Sequence, residues 1–288
     1  DDYGHAQHYY ADLILNQNVS VDESLYQHRE TYTRLLLGTR YALLRREFRE
    51  WTNWRREVPE VAQKVLITLG GSDPDNVTLK VIQALKQIDI SGLEAKIIVG
   101  PANPNTRTLQ QEIGKNSNLQ LIKNAENMTE QMAWADVAIA AGGSTSWELA
   151  LMGLPSLLVI LADNQSGIVC EMSKAGAAIN LGYAEKLTSA DITQKINRIL
   201  NESKTRSLLC TNAKALIDGF GASRVCDRVF QSDIVLRPVI QEDCKRIWDW
   251  SNDPSVRLRS FSKSFIAWEE HVKWFTKRIE APFFYVAL

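Results

Sequence analysis

The sequence predicts an α/β fold in which a parallel sheet carries helices on both faces. Between about residues 63 and 231, six short apolar runs alternate with segments of helical periodicity. Each run is too short for a helix and lacks the alternation of a half-buried strand, which is typical of a strand buried on both faces. Strands that alternate with helices pair in parallel through right-handed crossovers, and such sheets bind ligands at the carboxyl ends of their strands.

The elements of this region follow from its apolar pattern. The strands are expected at Val65–Leu69, Ala95–Val99, Leu119–Ile122, Asp136–Ala140, Ser156–Leu161 and Ala177–Leu181. Two helices are indicated by apolar residues that share one helical face. These residues are Val81, Ile82, Leu85 and Ile88 after Asn76, and Ile192, Ile196 and Ile199 after Ser189.

The flanking regions have different patterns. In the first, Leu13-Ile14-Leu15 and Tyr41-Ala42-Leu43-Leu44 each predict a buried strand. In the last, Ile234–Pro238 predicts a strand and Asp243–Ser251 and Trp268–Ile279 predict helices, in a stretch that holds four of the eight tryptophans. We therefore divide the chain into residues 1–56, 57–231 and 232–288.

The composition excludes several classes of function. The 288 residues include 33 Lys and Arg against 34 Asp and Glu, a net charge of −1. This balance argues against a protein that wraps nucleic acid or coats an anionic membrane, and no apolar run is long enough to span a bilayer. The start at Asp1 without Met and the end within a predicted strand at Leu288 lead us to expect a piece of a longer protein.

Neither the cysteines nor the histidines predict a metal site. No two cysteines have the close spacing of zinc ligands, and the length is wrong for a disulfide scaffold, so we expect a reducing cytoplasm. His5 and His8 lie three residues apart and could share a metal, but neither a Cys nor a carboxylate pair in helical context accompanies them. The cysteines are Cys170, Cys210, Cys226 and Cys244.

The first candidate site is the loop Leu69-Gly70-Gly71-Ser72-Asp73-Pro74, which follows a predicted strand and precedes a helix. Glycines let the backbone approach an anion, and free amides at a helix start bind phosphate. The alternative is a tight turn in which Asp73 or Asn76 caps the helix. Taken alone, the loop favours this alternative.

The second candidate is Ala141-Gly142-Gly143-Ser144-Thr145-Ser146-Trp147-Glu148, in the same kind of position. Its glycines and hydroxyls suit a phosphate or a sugar, and Glu148 has the acceptors for the two hydroxyls of a ribose. Alternatively, Thr145 and Glu148 have the spacing of a capping box, in which Glu148 accepts the Thr145 amide. The spacing leaves both interpretations open.

Two more polar loops end predicted strands. Ala162-Asp163-Asn164-Gln165 offers amides that suit sugar hydroxyls or a water, or else a helix cap from Asp163 or Asn164. Ile122–Met128 ends another strand, and we expect Met128 and Met132 to be packing residues. Because three of the four loops begin helices at carboxyl ends of one sheet, we expect a site for a nucleotide or phosphorylated sugar.

Together these motifs resemble the carboxyl-terminal half of a two-domain, GT-B-type nucleotide-sugar protein. Gly-Gly-Ser-Asp-Pro, Ala-Gly-Gly-Ser-Thr-Ser-Trp-Glu and Ala-Asp-Asn-Gln are similar to motifs of the hydrolases of pseudaminic-acid biosynthesis that act on UDP-2,4-diacetamido-2,4,6-trideoxy-β-L-altropyranose. That family is similar to the glycosyltransferase that makes lipid II. The resemblance covers about residues 1–231, since Asp1-Asp2-Tyr3, Leu15-Asn16-Gln17-Asn18 and Tyr41–Arg45 resemble the end of an amino-terminal domain.

The resemblance implies hydrolysis of a UDP-linked sugar to UDP and free sugar, without a cofactor. Glu148 would hold the ribose hydroxyls of the UDP-sugar. Other matching positions would lie against the diphosphate or line the cleft beside it; these are Gly143, Ser144 and Thr145, and Gly71 and Ser72.

The remaining matches concern the base and the sugar. The uracil would be approached by backbone groups of Ile122, Lys123 and Asn124. Asn164 and Gln165 would face the sugar, and Asn164 would position the attacking water. The family's catalytic His lies in a Gly-rich loop of the amino-terminal domain, which this sequence lacks and which neither His5 nor His8 matches. We therefore expect this chain to bind UDP weakly, if at all, and to hydrolyse nothing.

The last region resembles the start of a GNAT-type N-acetyltransferase. The resemblance is carried by Ile234–Pro238 with Glu242-Asp243-Cys244, by Trp250–Arg257, and by Trp268-Glu269-Glu270-His271 with Trp274-Phe275. It implies acetyl-CoA as cosubstrate, bound by a loop expected after Leu288. The alternative is a Trp-rich helical appendage.

Two other functions remain open for the whole protein. One is a glycosyltransferase of the same fold, which would pass the sugar to an acceptor. The other is a non-catalytic UDP-sugar-binding module that serves the acetyltransferase. The expected partner in every case is a UDP-sugar, without nucleic acid or membrane.

Overall fold

The computed structural model describes residues 4–230, 236–260, 262–279 and 285–287. Contacts group the chain into two compact units, Asp1–Val225 and Cys226–Leu288. The first unit therefore contains the predicted first region and most of the second, while the boundaries at residues 56 and 231 stay predictions. The motif Asp1-Asp2-Tyr3 lies outside the described residues.

A two-stranded parallel ladder precedes the main sheet. Strand β1 (Leu13–Asn16) confirms the first predicted strand and pairs with β2 (Arg34–Leu37). The prediction of a strand at residues 41–44 is wrong, because Gly38 adopts a φ of 93° and the chain turns into a short 3₁₀ helix at Thr39–Tyr41. Tyr41 and Ala42 are buried in this irregular segment, whereas Leu43 is exposed, and a further 3₁₀ helix follows at Arg46–Trp51.

The predicted parallel sheet is present with all six strands. They are β3 (Lys64–Thr68), β4 (Glu94–Val99), β5 (Leu119–Lys123), β6 (Val137–Ala141), β7 (Ser156–Ile160) and β8 (Ile179–Tyr183). Their order in the sheet is β5-β4-β3-β6-β7-β8, and every neighbouring pair is parallel. The order therefore reverses between β3 and β6, which is where such sheets open a ligand crevice.

Helices follow the strands in the alternating pattern that was predicted. They are α1 (Val77–Leu85), α2 (Thr106–Ile113), α3 (Met128–Trp134), α4 (Thr145–Leu151), α5 (Ser166–Lys174), α6 (Ser189–Asn201), α7 (Ser203–Leu216) and α8 (Gly221–Phe230). The predicted apolar face of α6 is buried, and so is that of α1, although α1 ends before Ile88. Helix α6 starts with a reciprocal capping box between Thr188 and Asp191.

The sheet separates two apolar cores. Val65 and Ile67 of β3 pack in one core with α1, α2 and α6, whereas Leu66 points into the other with α3, α4 and α5. Alternate residues of a strand face opposite sides, so this strand is covered on both faces. Every residue of β6 and β7 is buried. The edge strands β5 and β8 are partly exposed, because the helices cover the middle of the sheet more completely than its edges.

The second unit is small. Its elements are β9 (Leu236–Pro238), α9 (Asp243–Ser251), α10 (Pro254–Arg259), α11 (Trp268–Arg278) and β10 (Tyr285–Ala287), with β9 and β10 antiparallel. Both predicted helices are confirmed, and the predicted strand is confirmed at residues 236–238, since Ile234 and Val235 lie outside the described residues. Phe275 and Cys244 lie in its core, and His271 is buried with Nε2 2.9 Å from the Cys244 carbonyl oxygen.

Candidate functional site

A cavity of about 370 Å³ opens where the strand order reverses. It lies at the carboxyl ends of β3, β4, β5 and β6. Its lining comes from the loops after these four strands, from the starts of α3 and α4, and from Leu43 and Arg45 of the segment before β3. Among the described residues that line it, the charged ones are Arg45 and Glu148. This is the place where the parallel topology predicts a ligand.

The first loop contributes backbone to this cavity. Gly70 and Gly71 line it, while Ser72 is exposed and lies outside its lining. Asp73 is buried, and its carboxylate accepts the backbone amides of Val77 and Thr78, both at 2.9 Å. The predicted cap by Asp73 is therefore confirmed, and it coexists with a glycine turn that faces the cavity.

The loop after β4 makes a close contact with this turn. A Cβ placed on Gly100 would lie 2.4 Å from the carbonyl oxygen of Gly71 and 2.7 Å from its Cα. Gly100 also lines the cavity. A glycine is needed at this position because any side chain would push the two cavity loops apart.

The second loop places its hydroxyl residues and its acid at the cavity. Ser144, Thr145 and Glu148 line it, and Glu148 is buried, whereas Gly143 lies outside the lining. The capping-box alternative is wrong, because Ser144 is the residue that precedes α4 and no side-chain hydrogen bond caps this helix. The Glu148 carboxylate has a tertiary partner instead.

That partner is Arg45, which was not among the site residues predicted from the sequence. Its Nε donates to one Glu148 carboxylate oxygen at 2.7 Å, and its Nη2 donates to the other at 2.9 Å. This hydrogen bond raises the pKa of the Arg45 guanidinium above its usual value. The two residues lie 103 positions apart, so no local spacing could reveal the pair; only the likeness of Tyr41–Arg45 to a family motif pointed at this segment.

The loop after β5 brings one of its three predicted residues to the cavity. Asn124 lines the cavity, and its backbone has a left-handed conformation with φ of 55°. Its backbone N–H donates a hydrogen bond to the Val99 carbonyl oxygen at 3.0 Å. Ile122 is half buried against the core, and Lys123 lines a separate surface cavity. Met128 and Met132 are buried in the core, as predicted, and Met128 also touches the cavity.

The third loop lies elsewhere. Asn164 lines a separate cavity of about 180 Å³ together with Asn16 and Asn18. Gln165 turns back along the chain, and its Oε1 accepts the Leu161 amide at 2.9 Å. The structure therefore brings together the loops after β3, β4, β5 and β6, and it leaves the 162–165 loop outside this cavity.

No group of three His, Cys, Asp or Glu side chains suited to a metal ion occurs among the described residues. His8 lies 3.0 Å from the carboxylate of Glu30. Within the same described ranges, no helix combines the length and apolar character needed to cross a membrane.

Comparison with known proteins gives a family match over most of the larger unit. The family model of the glycosyltransferase family 28 C-terminal domain matches residues 65–224. The spore coat polysaccharide biosynthesis protein SpsG of Bacillus subtilis is 28% identical over 220 residues, which are 75% of this chain and 63% of SpsG. The uncharacterized protein MJ1062 of Methanocaldococcus jannaschii is 24% identical over 279 residues, 93% of this chain and 55% of that protein.

The fold has a counterpart among solved structures. The crystal structure of MurG from Acinetobacter baumannii matches with a TM-score of 0.55 at 17% identity, covering 76% of this chain and 66% of that chain. This likeness confirms the predicted GT-B-type fold. The chain spans less than two thirds of the length of the two curated relatives named above.

Proposed function

We propose that this chain, which belongs to the family of the glycosyltransferase family 28 C-terminal domain, binds the nucleoside diphosphate of a UDP-sugar. The observation that carries the proposal is the buried carboxylate of Glu148, which shares its cavity with three glycines and with the hydroxyl residues Ser144 and Thr145. A carboxylate accepts the two hydroxyls of a ribose, and glycine turns let backbone amides approach phosphate. We assign the ribose to Glu148 and the diphosphate to the side of Ser144 and Thr145.

The remaining predicted contacts keep their assignments as parts of this proposal. Gly71 and Asn124 lie at the cavity and would contact the phosphates and the uracil. Ser72, Ile122, Lys123 and Gly143 flank it and would contribute through backbone groups. Asn164 and Gln165 belong to the sugar side of the cleft, which the amino-terminal domain of the whole protein would complete.

For the whole protein we propose hydrolysis of a UDP-linked diacetamido-trideoxy sugar of the pseudaminic-acid type. A water positioned by Asn164 attacks the anomeric carbon, the bond from that carbon to the UDP oxygen breaks, and UDP leaves with the electron pair. A general base outside this sequence takes the proton from the water. The resemblance of the three loops supports this reaction, and the free cysteines and a nucleotide-sugar substrate support a cytoplasmic setting.

A second candidate is transfer of the sugar to an acceptor. The family description favours it. The acceptor-binding surface would lie in the amino-terminal domain, where the catalytic base of a hydrolase would also lie. The proposed nucleotide site serves either reaction equally, and it also serves a binding module without catalysis.

We also propose that residues 232–288 begin a GNAT-like sugar N-acetyltransferase that uses acetyl-CoA. The described residues of its motifs lie on or next to β9, α9, α10 and α11, of which the sequence predicted β9, α9 and α11. We assign acetyl-CoA to the loop expected after Leu288.

The reaction is tested on the full-length protein with a UDP-sugar, following UDP by phosphorus NMR. A hydrolase releases UDP and free sugar in equal amounts without an acceptor. Sugar transfer to an added acceptor, with no UDP release in its absence, would establish the transferase and contradict the hydrolase. If UDP-sugar binds and neither reaction occurs, the binding-module alternative is the one supported.

The binding site is tested by Glu148→Ala. We expect this variant to lose about 1–3 kcal/mol of UDP binding free energy, the range for removing a charged hydrogen-bond partner. Calorimetry or a ligand-detected NMR titration measures the loss, with Glu185→Ala, an exposed acid outside the cavity lining, as the matched control. Equal UDP affinity of Glu148→Ala and wild type would contradict the ribose assignment.

A further inference from the structure

The side chain of Arg45 is held by three neighbours on the rim of the cavity. Besides its two hydrogen bonds to Glu148, its Nη1 lies 3.0 Å from a carboxylate oxygen of Glu47. Its Cζ lies 5.3 Å from the ring centroid of Phe48, which is fully buried. Two of these neighbours lie on the Arg46–Trp51 3₁₀ helix, so the guanidinium is oriented from its own segment and not by Glu148 alone.

The geometry of the pair leaves Glu148 able to bind a ligand. A carboxylate offers about four acceptor positions, and Arg45 uses one on each oxygen. One position on each oxygen therefore remains, which matches the two hydroxyls of a vicinal diol. The two-point contact also fixes the plane of the carboxylate, which a single hydrogen bond would leave free to rotate.

The exposure of the two side chains supports this division of roles. The Glu148 side chain is 9% exposed, and that of Arg45 is 49% exposed. The acid is thus the enclosed group at the cavity, and the arginine approaches it from the solvent side. We therefore assign this half-buried contact to the orientation of the carboxylate.

We infer that Arg45 is a positioning residue that makes the site selective for a ribonucleotide, by holding the Glu148 carboxylate in the plane that receives the 2′- and 3′-hydroxyls. This inference rests on the proposed function of the cavity as a UDP site. It predicts that loss of Arg45 weakens the discrimination between ribose and 2′-deoxyribose more than it weakens nucleotide binding as such.

The experiment compares the affinities of the whole chain for UDP and for 2′-deoxy-UDP by NMR titration. Wild type is expected to prefer UDP by about tenfold or more, since the 2′-hydroxyl donates to a charged acceptor. In Arg45→Met the preference should fall below about threefold, while the affinity for 2′-deoxy-UDP stays within about threefold of wild type. Met keeps an apolar stem against Phe48 and removes all the guanidinium donors.

Two variants serve as references. Glu148→Gln should lose the same preference because the charged acceptor is gone. Arg46→Met, a neighbouring exposed arginine outside the cavity lining, should keep the wild-type preference. Circular dichroism checks that each variant is folded.

The outcomes separate the inference from the proposed function. If Glu148→Gln loses the preference and folded Arg45→Met keeps it, the inference is wrong and the UDP site stands. Tighter UDP binding by Arg45→Met would show that Arg45 blocks Glu148, which also overturns the inference. A wild-type chain that binds neither nucleotide contradicts both the inference and the proposed site in this chain.

Discussion

At the scale of single residues, the structure decides between interpretations that local spacing leaves open. Thr145 and Glu148 have capping-box spacing, but Glu148 pairs with Arg45 from a distant segment. Asp73 caps α1 through the amides of Val77 and Thr78 without closing the cavity. The loop after β3 therefore combines a helix cap with a glycine turn at the candidate cavity, and the loop after β6 presents Glu148 to that cavity without a capping box.

Gly100 gives a prediction at this scale. Gly100→Ala should destabilise the protein by about 1–3 kcal/mol and weaken UDP binding, because its Cβ would lie 2.4 Å from the Gly71 carbonyl oxygen. Urea denaturation measures the first effect and NMR titration the second. Gly167→Ala is the control, since a Cβ there meets nothing within 4 Å and alanine favours its helix. Wild-type stability and affinity for Gly100→Ala would show that the loops tolerate separation.

At the scale of elements, buried cations fix the segment that leads into β3. Arg206 is fully buried, and its guanidinium donates to the carbonyls of Pro59, Glu60, Ile199 and Leu200. Arg56 donates to the carbonyl of Met132 at 2.6 Å, and burial lowers its pKa to about 10. Backbone carbonyls that have no partner within their own helix thus accept hydrogen bonds from arginine side chains of another element. These hydrogen bonds hold residues 56–60 against the helices around the sheet.

Arg206→Leu tests this tie. We expect a loss of about 2–4 kcal/mol in the free energy of unfolding, because four carbonyls lose a charged donor, two of them in buried hydrogen bonds. Arg198→Leu removes an arginine whose side chain is 75% exposed in a surface pair with Glu202, and it should change stability by less than about 1 kcal/mol. Urea unfolding of both variants measures the difference. Similar losses for the two would contradict a special role for the buried arginine.

In the second unit, an ion pair joins β9 to the start of α9. Asp243 accepts hydrogen bonds from Arg237 at 2.5 and 2.7 Å and from the Ile240 amide at 3.0 Å. These hydrogen bonds, of which that from Arg237 has the larger effect, lower the pKa of Asp243 from 3.8 to about 2. The ionised carboxylate therefore stabilises the unit fully above the ordinary Asp pKa, and this stabilisation is lost as the pH falls towards about 2.

The expected result is a steeper loss of stability on acidification in wild type than in Asp243→Asn. The difference should develop between about pH 4 and pH 2, and tryptophan fluorescence during urea unfolding can follow the tryptophans of α9 and α11. Asp249→Asn, an exposed acid on α9 that pairs with Lys245, should follow the wild-type curve. Parallel curves for wild type and Asp243→Asn would show that this carboxylate does not couple to unfolding.

At the scale of the whole molecule, the two compact units divide the proposed functions. Every residue of the candidate nucleotide cavity lies within Asp1–Val225, and the GNAT-like elements lie within Cys226–Leu288. The larger unit matches the glycosyltransferase family 28 model, whereas the smaller one lies beyond that match. The nucleotide site should therefore depend on the first unit alone.

Residues 1–230 expressed alone should bind UDP within about twofold of the affinity of the whole chain. The reason is that the complete cavity, including Arg45, is retained. NMR titration of both proteins measures the affinity, and circular dichroism confirms that the shorter one is folded. A folded 1–230 protein with a much weaker affinity would show that the second unit contributes to the site.

The sequence by itself determined the parallel sheet with helices on both faces and the general position of the candidate ligand cavity. Short apolar runs between amphipathic segments specify buried parallel strands, because burial on both faces leaves a continuous apolar pattern, and the topology places polar loops at one edge. Where the pattern was apolar but irregular, as at Tyr41–Leu44, it predicted a strand wrongly, since a turn after Gly38 buries Tyr41 and Ala42 and leaves Leu43 exposed.

Only the tertiary structure decided which loops converge and which side chains pair. It brought Gly71, Asn124 and Glu148 to one cavity, placed Asn164 at another, and joined Arg45 to Glu148. Strand order and long-range pairing bring segments together that are distant in the sequence. The spacing of neighbouring residues in the sequence does not predict these contacts. For that reason the arginine that holds the proposed ribose-binding acid became visible only in the folded chain.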